Sequence, residues 1–172
     1  IGVMTKHLLS FGHGYSARAL APLVINQGFT ITGTTRSRGG LAEVTNSGAK
    51  AMLWPGSDLG DELKRATHIL ISIAPTGEGD PVLNALRDEI TRHAPKLEWI
   101  GYLSTTGVYG DAQGNWVDEN SALRPATKRG QMRVDAEAAW QAIPELPLHI
   151  FRLAGIYGPG RGPFSKVRAG TA

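Results

Sequence analysis

The chain contains no cysteine. This excludes disulfide staples and thiolate metal sites and fits a reducing, cytoplasmic setting. No apolar run approaches the roughly 20 residues that a membrane span requires, so no membrane association is expected. The opening Ile1-Gly2-Val3-Met4-Thr5-Lys6 lacks the charged and apolar regions of a secretory leader; Met4 is expected to be the initiating methionine and residues 1–3 a short foreign leader. One-sided charge is also missing. The net charge is +3, with 7 basic against 6 acidic residues in 1–86 and 11 against 9 thereafter. Despite a sequence pI near 9.4, the basic excess forms no stripe, and no nucleic-acid partner is expected. The 172 residues suit one domain, taken as 4–172, large enough to bury a core.

What is present is glycine in telling places. His7 to Phe11 is a short apolar run that stops at Gly12-His13-Gly14. Tyr15-Ser16-Ala17-Arg18-Ala19-Leu20 then continues with apolar residues at helical spacing, so the segment reads as strand, tight turn, helix. Gly12 permits the turn, Gly14 lets backbone approach a pyrophosphate, and Ala17 allows close helix packing. The amides at the helix start, around Tyr15, Ser16 and Ala17, face the anion with the helix dipole behind them.

The pattern then alternates. Strands are expected at Thr30–Thr35, Ala49–Trp54, His68–Pro75, Trp99–Leu103 and Leu148–Leu153, and helices at Leu41–Ser47, Leu59–Arg65, Val82–His93 and Thr127–Ala142. This is a doubly wound α/β domain with a parallel sheet. In such a domain the residue at the tip of the second strand lies beside the adenosine ribose. Arg36 occupies it, where an arginine meets a 2′-phosphate, and no acidic residue competes for the place. This favours NADP over NAD; the alternative is that Arg36 and Arg38 are solvated loop charges. Asp58 either accepts from an adenine amine or caps the helix after it. Ala74 and Pro75 end the fourth apolar run in a loop over the nucleotide site, and Ser104-Thr105-Thr106 places three hydroxyls after the fifth. His13 has no second ligand at metal-site spacing, so no metal is expected. Trp54, Trp99 and Trp140 read as core aromatics, and Trp116 as a lid or surface anchor.

Three stretches in the right order resemble the extended and atypical short-chain dehydrogenase/reductases of the NAD-dependent epimerase/dehydratase type. They are Gly12-His13-Gly14-Tyr15-Ser16-Ala17, Leu103-Ser104-Thr105-Thr106-Gly107-Val108-Tyr109-Gly110, and Arg152-Leu153-Ala154-Gly155-Ile156-Tyr157-Gly158-Pro159-Gly160-Arg161. The resemblance implies a Rossmann fold that lacks most of the C-terminal substrate lobe, and hence the front part of a longer protein. It further implies a homodimer through the helices that follow strands four and five, and catalysis by a hydroxyl with a Tyr-x-x-x-Lys pair. Thr105 falls at the hydroxyl position. The tyrosine position holds Arg129 and the lysine position Arg133, and arginine cannot exchange a proton at neutral pH. Lys128, Tyr109 and Tyr102 are candidate substitutes. The plain alternative is a solvent-facing arginine pair with Arg133 bridging Glu137, or Arg133 reaching a ribose or a substrate phosphate. Two function classes follow: an NADP-linked oxidoreductase or epimerase acting on a hydroxylated or nucleotide-sugar substrate, and a non-catalytic NADP-binding sensor or partner-binding protein.

Overall fold

The computed structural model describes residues 5–171, so the expected initiator Met4 and the leader at 1–3 lie outside the described residues. Six strands, β1 His7–Phe11, β2 Thr30–Thr35, β3 Lys50–Leu53, β4 His68–Ile71, β5 Trp99–Thr105 and β6 Leu148–Leu153, form one sheet. All neighbours pair in parallel, in the order β3-β2-β1-β4-β5-β6. The helices are α1 Tyr15–Ile25, α2 Gly40–Asn46, α3 Gly60–Arg65, α4 Pro81–His93, α5 Lys128–Gln141 and α6 Pro163–Arg168. The chain winds outward from β1 to β3, then crosses back to β4. That reversal leaves a crevice beyond the carboxyl ends of β1 and β4. This is the doubly wound Rossmann-type sheet expected from the alternating pattern.

The pleat sorts the apolar strand residues into two layers. Leu8, Ile31 and Leu70 pack with Ala17, Ala21 and Val44 under α1 and α2. Leu9, Phe11, Ile69, Ile71, Ile100 and Tyr102 pack on the other face with Leu63, Leu83, Ile90, Ala136 and Trp140 from α3, α4 and α5. Each fully buried large side chain contributes roughly 1.5–3 kcal/mol. Asp80 joins the second layer to its helices. One carboxylate oxygen accepts from the amides of Val82 (2.9 Å) and Leu83 (3.0 Å) at the start of α4, and the other from Trp140 Nε1 of α5 (3.1 Å).

The fourth strand ends at Ile71, not at Pro75. The amide of Ser72 still donates to the carbonyl of Phe11 (3.0 Å), but Gly12 turns away at φ +71° and Pro75 has no amide hydrogen for a ladder. Ser72–Pro75 therefore becomes the loop above the crevice. Of the expected core tryptophans, Trp54 and Trp140 are buried, whereas Trp99 is half-buried. Its ring lies over Gly101 and stacks on the exposed His149, 6.1 Å between centroids. It packs at the margin of the first layer and shares an open recess with Leu20 of α1 and Phe151 of β6. Trp116 is 97% exposed. No helix among the described residues is long and apolar enough to cross a membrane.

Candidate functional site

The crevice is built first from the turn after β1. Thr34 of β2 holds that turn from the side: its Oγ1 accepts from the amide of Gly12 (2.9 Å), and its carbonyl accepts from the amide of His13 (2.9 Å). The His13 ring is buried beneath, between Ser10 Oγ and Ser47 Oγ, each 2.9 Å away. Ser47 spends its own proton on the carbonyl of Val44 (2.6 Å). His13 Nε2 therefore carries the hydrogen and Nδ1 accepts from Ser10. Burial, with the charge of Arg18 beside it, holds the His13 pKa down at about 4. His13 is a neutral brace of the turn.

The turn delivers the chain into α1 with no side-chain cap and no acidic residue in the first turn. Asp80 and Thr127, by contrast, cap α4 and α5. The α1 start thus presents uncompensated amides and the positive end of the helix dipole to the crevice. Beside it, Ser72 Oγ is buried without a hydrogen-bond partner among the described residues. A Cβ on Gly12 would come within 2.7 Å of the Ile73 side chain, so the approach is open only to glycine. An orphaned hydroxyl, an uncapped helix start and a side-chain-free turn fit an anionic group such as a pyrophosphate.

Three connected recesses extend from this point. One of about 440 Å³ is lined by Gly12, Gly14, Arg18, Arg36, Ala74 and Pro75, among others. Glu43 is also in it but is engaged by Arg18 at 2.9 Å, leaving Arg36 without an ion-pair partner among the described residues. Asp58 and Arg38 do not line this recess. The Asp58 carboxylate accepts from the amide of Gly60 (2.8 Å), where α3 begins one residue later than expected. A second recess, about 210 Å³, joins Gly12, Gly14, Tyr15, Ser16 and Ala17 to Ser72, Ser104, Arg133 and Arg161. The third, about 130 Å³, brings together Ala74, Pro75, Thr105, Arg129 and Arg133.

Within the third recess Thr105 Oγ1 accepts from the amide of Gly107 (3.1 Å). Arg129 is exposed. Arg133 is not the solvent-facing partner of Glu137 that helical spacing predicts. It turns inward, and its Nη1 donates to Tyr102 Oη (3.1 Å) and to the carbonyl of Leu103 (2.7 Å). Glu137 belongs instead to Arg152, at 2.8 Å with side chains 2% and 15% exposed, and it also accepts from Ser104 Oγ (3.0 Å). Of the candidate proton donors, Tyr102 is fully buried, and burial pushes its pKa up to about 12, so it reaches no ligand. Tyr109 is held by Arg152 through its hydroxyl (3.1 Å) and ring face.

Sequence reasoning did not single out Ser72 or Arg161 as site residues. Ser72 was detectable as the lone hydroxyl in the apolar run Ile69–Ala74. Arg161 arrives from far along the chain. The Tyr15 hydroxyl donates to the carbonyl of Pro159 (3.0 Å), and the Arg161 guanidinium lies over the Tyr15 ring at 5.4 Å. This closes the Gly158–Arg161 turn onto the start of α1.

Fold and crevice together define a doubly wound α/β domain with a glycine turn at the carboxyl end of its first strand. No protein-family model matches the chain. It is 30% identical over 169 residues to protein YeeZ of Escherichia coli, a match covering 92% of this chain and 61% of YeeZ. A conserved protein of unknown function from Silicibacter pomeroyi is 56% identical and superposes with a TM-score of 0.90, over 95% of this chain and 57% of that one. A proposed NAD-dependent epimerase/dehydratase from Methylobacillus flagellatus shares the fold at 24% identity and a TM-score of 0.72, over 97% of this chain and 59% of that one. The chain thus spans about three fifths of the length of these relatives.

Proposed function

We propose that this chain is the dinucleotide-binding part of an NADP-linked oxidoreductase or epimerase that acts on a hydroxylated or nucleotide-sugar substrate in the cytoplasm. The observation that carries the reading is the uncapped start of α1 facing Gly12, Gly14 and the orphaned Ser72 hydroxyl, in a crevice continuous with the recess that holds Arg36. The likeness to the Methylobacillus flagellatus structure supports a nicotinamide dinucleotide as the bound group. When bound, that group supplies hydride transfer. The α1 amides and Ser72 hold its phosphates, Arg36 meets a 2′-phosphate, Ala74 and Pro75 lie in the loop over the nucleotide, and Thr105 orients a reacting oxygen.

A second reading is favoured by one observation: arginines stand at both positions of the proton-transfer pair, and neither can exchange a proton at neutral pH. A non-catalytic NADP-binding sensor, paired as a homodimer through α4 and α5, fits that loss. Hydride transfer to a panel of carbonyl compounds separates the two readings.

The cofactor assignment is tested by fluorescence titration with NADPH and, separately, NADH at one ionic strength, with Arg36→Ala beside the wild type. A charge-assisted contact contributes about 1.5–3 kcal/mol, so the wild type should prefer NADPH by roughly 10- to 100-fold and the variant should lose that preference. Equal binding of both nucleotides by the wild type removes the 2′-phosphate assignment. Binding of neither removes the dinucleotide reading.

A further inference from the structure

The third recess lies between the loop after β4 and the first turns of α5, next to where the reading above places the reactive end of the cofactor. Its lining carries two guanidiniums, from Arg129 and Arg133, and the hydroxyls of Thr105 and Thr127, but no carboxylate. The arginines stand four residues apart on one helix, an arrangement that places like charges side by side and is unfavourable in isolation. Arg129 has no ion-pair or hydrogen-bond partner among the described residues. Acids elsewhere on α5 do not answer them: Asp135 accepts from Gln131 (2.8 Å), and Glu137 is taken by Arg152 at 2.8 Å.

Arg133 is held in a particular way. Both hydrogens of Nη1 are spent, on Tyr102 Oη and the carbonyl of Leu103. A guanidinium has five N–H donors in a rigid fork. The Nε and Nη2 edge, the one that pairs side-on with a planar oxyanion, has no partner among the described residues. The anchor is rigid because Tyr102 is fully buried and Leu103 is sheet backbone. At about 130 Å³ the recess has room for a small polyatomic anion.

We propose that this recess is an oxyanion subsite for the substrate, in which the pre-anchored Arg133 edge and the exposed guanidinium of Arg129 hold a carboxylate or phosphate group. The site selects an anionic substrate, in place of the proton transfer that a tyrosine and a lysine at these two positions would perform. The proposal rests on the dinucleotide reading for its substrate role, because Arg133 also borders the recess at the α1 start. There the α1 amides and Arg161 are at hand for the phosphates of the cofactor itself.

The test follows the arginine Nε–H resonances by nitrogen-edited NMR in the NADPH-saturated chain. Inorganic phosphate and acetate are titrated in separate arms, at ionic strength held constant with chloride. The expected result is a saturable shift of the Arg129 and Arg133 resonances that the exposed Arg87 does not share, with the responding arm telling phosphate from carboxylate. In Arg129→Leu, altered at an exposed side chain, the half-saturating concentration should rise about tenfold. Arg133→Lys, which keeps the charge but loses the fork, should also weaken binding. Shifts no larger than that of Arg87 overturn the proposal. So do shifts seen in the free chain that NADPH abolishes, because the anion is then the cofactor's own. If the chain takes no dinucleotide, the cofactor reading falls, while saturable shifts at these two arginines still sustain the oxyanion site.

Discussion

Glu62 gives the sharpest quantitative expectation for the scaffold beneath the crevice. It lies on α3, 4% exposed, and ties three strands together. Its carboxylate accepts from Thr32 Oγ1 at 2.5 Å, Lys50 Nζ at 2.7 Å and Arg65 Nη2 at 2.8 Å, and His7 Nε2 lies 3.4 Å away. Burial alone would raise its pKa. The hydrogen bonds from Lys50, Thr32 and Arg65, with the charge of Arg65, outweigh that and bring it down from 4.5 to about 2. A drop of that size corresponds to ~3 kcal/mol of folding free energy. That figure is a ceiling, because the Lys50 and Arg65 side chains are 57% and 51% exposed and solvent screens them. The folded-state pKa is depressed, so the contribution is complete above the unfolded value of 4.5 and is lost as the pH falls toward 2. By pH 3 about 2 kcal/mol of it should be gone. The perturbation is Glu62→Gln, which keeps the shape and removes the titration. Urea unfolding of both proteins is measured at pH 6 and pH 3. At pH 6 the variant should be less stable, by at most ~3 kcal/mol, and the gap should shrink by up to ~2 kcal/mol at pH 3. His13, also depressed, titrates in both proteins and cancels from the difference. Parallel loss of stability in the two proteins would refute the assignment of acid sensitivity to this carboxylate.

Two further expectations concern the turn. Ser72→Ala removes a buried hydroxyl that has no partner in the ligand-free chain, so thermal stability should hold or rise; NADPH affinity should fall by about 0.5–1.5 kcal/mol if the hydroxyl meets the cofactor, and unchanged affinity would exclude that contact. Gly33→Ala would place a Cβ 2.7 Å from His13 Cγ and 2.8 Å from Val44 Cγ1, both in buried residues, so calorimetry should show a loss of about 1–3 kcal/mol together with weaker NADPH binding, and a fully stable variant would mean that His13 does not brace the turn.

Local pattern made the elements legible. Leu83, Leu86 and Ile90 at helical spacing mark α4, and the β-branched alternation of Thr30–Thr35 marks β2, because each element buries one face or stripe. Their order then prescribes the sheet, since right-handed crossovers leave few ways to wind six parallel strands. The turn after β1 is legible for the same reason: Gly12, at φ +71°, answers a local backbone demand. Trp99 packs against the core but is only half-buried, because burial depends on what covers a strand, and a tryptophan near a sheet edge reads the same in sequence however completely it is covered.

The polar pairs of the site were not legible, and Arg133 shows why. Spacing along α5 offers Glu137 as its partner, and in an isolated helix an i,i+4 pair of this kind contributes only a few tenths of a kcal/mol. The sheet brings a stronger competitor. β6 pairs with β5 so that Ser104 stands opposite Arg152, and this places the Arg152 guanidinium beside a Glu137 carboxylate that is almost wholly buried. Leaving that carboxylate with an exposed partner would strand a buried charge at a cost of several kcal/mol. Arg152 therefore takes Glu137, and Arg133 is released to the Tyr102 hydroxyl and the Leu103 carbonyl. The choice is made by strand register far from either residue in sequence. It also decides the chemistry, for an Arg133 spent on Glu137 would leave no anchored guanidinium edge to meet an anion.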